Sequence, residues 1–185
     1  MRLKAYLAGP DVFLPDAGTH AARKVAICAR YGIEGRPPID EDPKVKHEAT
    51  GQAWTRIYDT NIAMMGACDI IIANLTPFAG ASADAGTLIE VGWFLGRGKP
   101  IFGYSNARAP FARRMAEQLR LAPPVPPGLA VESFDLPDNL MIPGAVQSGG
   151  YPVFVPADDR PRGIDALDIF ETCVAAAAKH LATSG

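Results

Sequence analysis

Glu90 is the residue whose setting most clearly indicates chemistry, because it is a carboxylate inside the otherwise apolar run from Leu88 to Leu95. On a helix it would have small residues one turn before it and aromatic residues one turn after it, namely Gly86, Thr87, Trp93 and Phe94. Burying an ionised carboxylate is costly unless it is hydrogen-bonded or neutralised, but the early turns of a helix favour the charged form. An ionised, partly desolvated Glu90 would be a good nucleophile towards a sugar C1. The alternative is a side chain that faces solvent or caps a loop.

Other polar residues have structural interpretations that compete with chemistry. Asp84 directly precedes the same predicted helix and fits an ordinary N-cap. Tyr6 stands in the first predicted strand, where core packing is the more common role. The remaining candidates are isolated and are interpreted as surface, packing or solvated-turn residues; they are His20, His47, His180 and the acidic cluster Asp40, Glu41 and Asp42.

The sequence contains no cofactor or metal motif. The loop from Phe78 to Thr87 has neither the GxGxxG spacing of a dinucleotide site nor the GxxxxGK[ST] of a phosphate-binding loop. The cysteines Cys28, Cys68 and Cys173 are widely spaced and form no CxxC or Cys/His pair. We therefore predict no cofactor and no metal site, and we interpret the cysteines as small buried apolar residues in a reduced compartment.

Length and composition exclude several classes of protein. The 185 residues, 48% of them hydrophobic, predict one domain over residues 1–185 with a single core. The net charge of −2 lacks the basic excess that binding to a nucleic acid polymer needs. The apolar runs are far shorter than the ~20 residues of a membrane span, and no secretory signal precedes the first strand. The sequence predicts a cytoplasmic protein that binds neither nucleic acid polymers nor membranes.

Apolar periodicity predicts alternating strands and helices. A strand around residues 3–7 stops at Gly9-Pro10, and the chain after Leu121 is less regular until a closing helix from Ile164 to Ala182. Between them the pattern predicts a helix at about 19–31, a short strand near 36–39, a helix at 53–67, a strand at 69–75, a helix at 85–95 and a strand at 100–104. This order predicts an α/β fold with a doubly wound parallel sheet in three layers. Ligands bind such sheets outside the carboxyl ends of the strands.

Three separated segments resemble the nucleoside 2-deoxyribosyltransferases. The segment Tyr6–Phe13 is similar to the opening strand and turn of that family. The segment Asp84–Gly92 is similar to its catalytic Asp/Glu segment, and Asn139-Leu140-Met141 to its late Asn-Leu-Met segment. The three occur in the family's order, and together they are specific.

The resemblance implies a flavodoxin-like, Rossmann-like fold, no cofactor, and a homo-oligomer whose active sites are completed across a subunit interface. It implies that Glu90 is the nucleophile and that Tyr6 and Asp84 support it and contact the substrate. Asn139 and Met141 would reach the deoxyribose in the neighbouring subunit. The substrate-binding candidates are Gly9, Phe13, Asn61, Asn139 and Met141, and Phe13 and Trp93 are candidates for apolar contacts, with core packing at least as expected for Trp93.

One position departs from the family pattern. Several bacterial members carry an Asp that is thought to assist the base, but this chain has Asn61, which can donate a hydrogen bond and cannot act as a general acid. Asp59 is a poor substitute, because residues two apart on a helix point about 200° away from each other. Protonation of the base would then fall to Asp84 or to solvent.

The implied function is the transfer of 2-deoxyribose between the purine or pyrimidine bases of 2'-deoxynucleosides, through a covalent deoxyribosyl-Glu90 intermediate, in nucleotide salvage. Deoxynucleosides and free nucleobases are the expected partners, since Asp11 after the first strand would repel a 5'-phosphate. One alternative is a deoxynucleoside N-glycosidase, which would use the same Glu90 with water as the acceptor. Another is a nucleotide-binding module in which Glu90 only hydrogen-bonds the ligand.

Overall fold

Four parallel strands form one sheet in the computed structural model, which describes residues 3–39, 53–121, 130–160 and 162–183. The strands are β1 (Leu3–Tyr6), β2 (Ile33–Arg36), β3 (Ile70–Asn74) and β4 (Ile101–Tyr104), in the order β2-β1-β3-β4. Ala5 lies opposite Ile70, and Ile71 lies opposite Ile101. Every residue of β3 is buried, as expected for a central strand of a parallel sheet that is covered on both faces.

Helices cover both faces of this sheet. Over the described residues they are α1 (Ala17–Arg30), α2 (Ala53–Ala67), α3 (Ala85–Gly96), α4 (Phe111–Leu121), α5 (Met141–Ser148) and α6 (Asp168–Thr183), and a short 3-10 helix, Pro10–Phe13, follows β1. Helices α1 and α6 pack into the core on one face, whereas α2, α3 and α5 pack on the other. The predicted three-layer, doubly wound α/β fold is confirmed. Within the described ranges, none of these helices has the length and apolar content needed to span a membrane.

The short strand after α1 lies earlier than predicted. It covers Ile33–Arg36 and not 36–39, because Pro37 and Pro38 have no N–H to donate to a neighbouring strand. Gly35 permits the close approach of this strand to its neighbours, since a Cβ there would lie 2.9 Å from Leu7 Cδ1. The bounds predicted for the helix at 53–67 are those of α2.

The second half of the chain contains more helix than predicted. Met141 begins α5, in a segment where Pro143 and Gly144 obscure the helical period, and α4 was also absent from the predicted elements. The last helix begins at Asp168 and not at Ile164. The Asn106 side-chain amide accounts for this delay, because it donates to the carbonyl oxygens of Gly163 at 2.9 Å and Ala166 at 3.1 Å and so holds them outside the helix.

A buried ion pair joins the turn after β1 to helix α1. Lys24 and Asp11 are 1% and 6% exposed, and the Lys24 ammonium donates to Asp11 Oδ2. Asn74, the last residue of β3, donates to the other carboxylate oxygen at 2.6 Å. Burial by itself raises the pKa of Asp11, but the charge of Lys24, hydrogen bonds from Lys24 and Asn74, and the His20 imidazole, whose Nε2 lies 3.7 Å from Asp11 Oδ2, outweigh it and hold that pKa well below its usual range.

The position of Asp11 corrects one expectation from the sequence. An exposed carboxylate would repel a 5'-phosphate, but the Asp11 carboxylate is buried and its charge is balanced by Lys24. The argument that Asp11 excludes nucleotides was therefore wrong.

We predict that Lys24→Met lowers the free energy of unfolding at pH 7 by about 3–5 kcal/mol, because it leaves Asp11 charged and unpaired in the protein interior. Urea denaturation followed by circular dichroism measures the effect. The double variant Lys24→Met/Asp11→Asn should regain more than half of the loss, since no uncompensated charge remains.

Arg23→Met is the matched control, because Arg23 is the exposed neighbour of Lys24 on the same helix. It should change the free energy of unfolding by less than about 0.5 kcal/mol. A Lys24→Met protein as stable as Arg23→Met would show that the ion pair does not hold this part of the fold together.

Candidate active site

The crevice of this fold lies where the strand order reverses, between β1 and β3. The chain leaves β1 towards α1 on one face of the sheet and leaves β3 towards α3 on the other. This reversal opens a gap outside the carboxyl ends of the two strands, which is the usual binding position in open α/β sheets. Tyr6 ends β1, Asn74 ends β3, and Glu90 lies on the helix that follows β3.

Tyr6 and Glu90 meet in this gap. The Tyr6 hydroxyl donates to Glu90 Oε1 at 2.5 Å. The Tyr6 ring is fully buried and lies against Phe94, with ring centroids 6.2 Å apart, while Glu90 is half-buried. Tyr6 therefore combines the core packing expected of it with a contact to the candidate nucleophile.

Burial raises the pKa of Glu90 to about 7; the hydrogen bond from Tyr6 lowers that pKa and the charge of Asp84 raises it. The sequence predicted an ionised carboxylate favoured by the helix terminus. Glu90 is the sixth residue of α3, however, and the electrostatic effect of the terminus fades within the first turn. Both protonation states are consequently populated near neutral pH. Burial and the charge of Glu90 raise the pKa of Tyr6 well above its usual value, so Tyr6 stays a hydrogen-bond donor.

Asp84 caps helix α3, as its sequence position predicted. Its Oδ2 accepts hydrogen bonds from the Thr87 N–H at 2.9 Å and the Thr87 hydroxyl at 3.1 Å. Because its charge also raises the pKa of Glu90, Asp84 acts electrostatically on the candidate nucleophile as well. A role for Asp84 in protonating the base remains a prediction.

Gly9 allows the chain to turn next to Asn74. Its φ is 153°, and a Cβ there would lie 2.5 Å from Asp11 Oδ1 and 2.6 Å from Asn74 Cβ, so only glycine fits. Asn74 Oδ1 in turn accepts hydrogen bonds from the Thr76 N–H and the Thr76 hydroxyl, at 3.1 and 2.6 Å. The turn after β1 and the loop after β3 are thus fixed against each other.

Two side chains that sequence analysis missed anchor the loop before α3. Asp138 is buried and accepts hydrogen bonds from the Ser82 hydroxyl at 2.6 Å and the Ala83 N–H at 2.9 Å. Arg114 donates to the carbonyl oxygens of Ala81 at 2.8 Å and Pro137 at 2.7 Å. The available signal was the position of Asp138, directly before the Asn-Leu-Met segment; nothing in the sequence singled out Arg114.

The two aromatic candidates, Phe13 and Trp93, lie in different parts of the structure. Phe13 is 65% exposed and stacks on Phe78, with ring centroids 5.3 Å apart, beside the carboxyl ends of β1 and β3. Trp93 packs on Phe94, and the Lys99 ammonium lies 5.6 Å from its ring centroid. Because Lys99 lies two residues before β4, Trp93 lies towards the amino end of that strand. Trp93 is half-buried and packs against the core, and a substrate contact for it stays a prediction.

Asn61, Asn139 and Met141 make no described hydrogen bond to Glu90 within one chain. Asn61 is half-buried on α2, and Met141 is 69% exposed at the start of α5. Asn139 donates through Nδ2 to Glu132 Oε2 at 2.9 Å. Within the described ranges, no hydrogen bond, ion pair or ring contact joins any of the three to Tyr6, Asp84 or Glu90.

The other polar candidates fit the structural roles predicted for them or lie outside the described residues. His20 is buried beside Asp11, and His180 packs edge-on against Phe102 and Tyr151. The three cysteines are buried and unpaired. In the part of the chain that the structure describes, no group of three or more His, Cys, Asp or Glu side chains could hold a metal ion. His47 and the cluster at 40–42 lie outside it.

Comparisons with known proteins agree with the resemblance. A family model described as nucleoside 2-deoxyribosyltransferase matches residues 5–141. A 2-desoxiribosyltransferase from Leishmania mexicana is 32% identical with a TM-score of 0.67, over 96% of this chain and 98% of that one. A conserved protein from Enterococcus faecalis shares the fold, at 18% identity and a TM-score of 0.55, over 98% of this chain and 99% of that one.

A curated relative also matches part of the chain. It is an uncharacterised protein of Schizosaccharomyces pombe that is 34% identical over 103 residues, which are 55% of this chain and 49% of the relative. The match therefore spans about half the length of that relative.

We predict that Glu90→Gln stabilises the protein at pH 8.5 by about 1–3 kcal/mol more than at pH 5. The pKa of Glu90 is 4.5 in the unfolded chain and about 7 in the folded protein. The folded state therefore binds the extra proton, so the stability contributed by this group is complete below pH 4.5 and is lost as the pH rises through 7. Glutamine keeps the acceptor for Tyr6 without the charge.

Urea unfolding at the two pH values measures this difference. Glu117→Gln, at an exposed glutamate of α4, is the matched control for replacing a glutamate by a glutamine. An equal effect of Glu90→Gln at both pH values would contradict a raised pKa for Glu90.

Proposed function

The chain belongs to the nucleoside 2-deoxyribosyltransferase family, and we propose that it transfers 2-deoxyribose between the purine or pyrimidine bases of 2'-deoxynucleosides. The hydrogen bond from Tyr6 to Glu90 in the crevice carries this proposal. It places a half-buried carboxylate, oriented by a buried phenol, where this fold binds ligands. A carboxylate in such a setting is suited to covalent catalysis at a sugar C1'.

The proposed reaction is a double displacement. Oε1 of Glu90 accepts from Tyr6, which leaves Oε2 to attack C1'. A bond forms between Oε2 and C1' as the C1'–N bond breaks, and the departing base nitrogen takes up a proton. A nitrogen of the second base then attacks C1' and gives up its proton to the group that protonated the first base, which releases the Glu90 carboxylate and gives net retention of configuration, as in retaining glycosidases.

The environment of Glu90 suits both halves of this reaction. Partial burial raises its pKa to about 7, so the carboxylate is more basic than one in water and still ionises near neutral pH. The Tyr6 hydroxyl stabilises the negative charge that returns to the carboxylate in the second step. Asn61 cannot supply the proton for the departing base, so Asp84 or solvent supplies it.

The substrate preference follows from the sugar and from the turn after β1. A 2'-hydroxyl would destabilise an oxocarbenium-like transition state and would crowd Glu90, so ribonucleosides should react poorly. The turn from Gly9 to Phe13 offers no Arg or Lys to a 5'-phosphate, which supports nucleosides as the substrates. The exposed face of Phe13, stacked on Phe78, is the proposed apolar contact for a base.

We also propose that the active sites are shared between two subunits. Large exposed apolar side chains lie on the helical layer that carries Glu90, where a second copy would cover them; they are Trp54, Ile57, Tyr58, Ile89, Leu140 and Met141. Asn139 and Met141 of one subunit would then reach the pocket of Glu90 in its neighbour through a two-fold contact.

The purified protein should convert thymidine and free adenine into deoxyadenosine and thymine, which chromatography detects. EDTA should leave the rate unchanged, because the proposed steps use only carboxylate, phenol and solvent. Release of thymine without deoxyadenosine would instead indicate an N-glycosidase. Binding of deoxynucleosides with no turnover would indicate a binding module.

Glu90→Ala should keep the fold and reduce base exchange by at least about 10³-fold, because it removes the covalent route. With a 2-fluoro-2-deoxynucleoside, the wild-type protein should form an adduct on Glu90 that peptide mass spectrometry locates. Circular dichroism checks the fold of the variant. An adduct on another residue, or substantial activity in Glu90→Ala, would overturn the assignment of the nucleophile.

Shared sites predict that Glu90→Ala and Asn139→Ala complement each other. In a mixed dimer one site carries both defects and the other carries neither, so random equal assembly leaves about a quarter of all sites intact. The two variants must be co-expressed or refolded together, and differently tagged subunits show that mixed dimers form. Background activity in proven mixed dimers would mean that Asn139 acts within its own subunit.

A further inference from the structure

Glu132 holds the segment around Asn139 with both of its carboxylate oxygens. Oε2 accepts from the Asn139 side-chain amide at 2.9 Å, and Oε1 accepts from the Leu140 N–H at 2.6 Å. Charge-assisted hydrogen bonds of this kind are about twice as strong as neutral ones. Sequence analysis did not single out Glu132, because it lies in a stretch with neither helical nor strand period.

These contacts fix which way the Asn139 amide points. Nδ2 faces Glu132, and Oδ1 accepts from the Met141 N–H at 3.2 Å. A primary amide has two N–H donors and two acceptor lone pairs. One N–H and one lone pair of Asn139 therefore remain for a ligand, and they lie next to the exposed side chain of Met141.

A donor and an acceptor side by side match a hydroxyl group, which can accept from the amide N–H and donate to the amide oxygen. A carbonyl or an ammonium group could use only one of the two. A sugar hydroxyl with an apolar ring face beside it would use both this amide and the Met141 side chain.

We propose that Glu132 is a positioning residue that orients the Asn139 amide to bind a hydroxyl of the deoxyribose, at C3' or C5', in the partner subunit. This inference rests on the proposed function and on the shared site. Glu132 itself touches neither the sugar nor the base. Without it only the 3.2 Å hydrogen bond from the Met141 N–H holds the Asn139 amide, and binding of the hydroxyl must then fix a side chain that is less firmly held.

The segment does not depend on Glu132 for its attachment to the protein. Asp138 holds Ser82 and Ala83, and Arg114 holds the Pro137 carbonyl oxygen. Helix α5 beyond it is anchored by buried Ile142 and Val146. Removing the Glu132 carboxylate should therefore change the orientation of Asn139 and leave the fold intact.

The test pairs enzyme variants with substrates that lack one hydroxyl. Glu132→Ala should lower kcat/KM for a 2'-deoxynucleoside about tenfold, mainly through KM, with an unchanged melting temperature. A 2',3'-dideoxynucleoside lacks the C3' hydroxyl, and a 2',5'-dideoxynucleoside lacks the C5' hydroxyl. With the analogue that lacks the contacted hydroxyl, the kcat/KM values of Glu132→Ala and wild type should agree within about twofold. With the other analogue the tenfold difference should persist.

Two further variants calibrate this comparison. Glu132→Gln keeps an acceptor for Asn139 but not the second acceptor for the Leu140 N–H, so its kcat/KM should lie between those of wild type and Glu132→Ala. Glu117→Ala removes an exposed glutamate of α4 and should match wild type with every substrate. A tenfold loss with all three substrates, or no loss with any, would overturn the inference.

Complementation tests whether Glu132 acts across the interface. Assayed at substrate concentrations well below KM, co-expressed Glu132→Ala and Glu90→Ala should give about a quarter of wild-type activity if Glu132 serves the neighbouring site, and about a twentieth if it serves its own. The lower value would overturn the inference while leaving base exchange by the wild type unaffected. A wild-type protein that exchanges no bases would instead overturn the proposed function, and the inference with it.

Discussion

A buried ion pair fixes the arrangement of the segments at the carboxyl edge of this sheet. Asp11 and Lys24 are both almost fully buried, and Asn74 completes the hydrogen bonding of the carboxylate. Because an unpaired charge in that position would be very unfavourable, the turn after β1, helix α1 and the end of β3 can occupy only one relative arrangement. The Asn74 amide oxygen also accepts from the Thr76 hydroxyl, and the Thr76 hydroxyl oxygen accepts from the Asn106 N–H. The same constraint therefore reaches Thr76 and Asn106. The loops around the crevice are therefore held by polar contacts that water cannot replace.

Glu90, the candidate nucleophile, lies in an electrostatic environment opposite to that of Asp11. Among the described residues no cation pairs with Glu90, whose polar partner is the neutral phenol of Tyr6 and whose pKa burial raises to about 7. Removal from water thus accompanies a stable negative charge at Asp11 and a proton-exchanging group at Glu90, according to whether a lysine or a tyrosine faces the carboxylate.

Features that depend on residues close together in the sequence could be predicted. Contacts that form only when the chain folds could not. The alternation of strands and helices, the bounds of α2, the N-cap at Asp84 and the unusual setting of Glu90 could all be predicted, because each depends on neighbours a few residues away. Helix α5 was missed because Pro143 and Gly144 obscure its period. Asp11 was interpreted as an exposed acid, although Lys24 shares a helix face with Ala21 and Cys28 and could have signalled a buried cation. Glu132 and Arg114 act on loops, which have no period to indicate their partners.

The separation in sequence between contacting residues also sets the order in which the site can form during synthesis. Asp11 and Lys24 are 13 residues apart, so their pairing needs only the first strand and helix. Tyr6 and Glu90 are 84 residues apart, and their contact must wait for β3 and α3. Contacts that join distant parts of a chain form slowly. A nascent chain can therefore pair Asp11 with Lys24 well before Tyr6 can reach Glu90, so the candidate site is completed only after helix α3 has been synthesised.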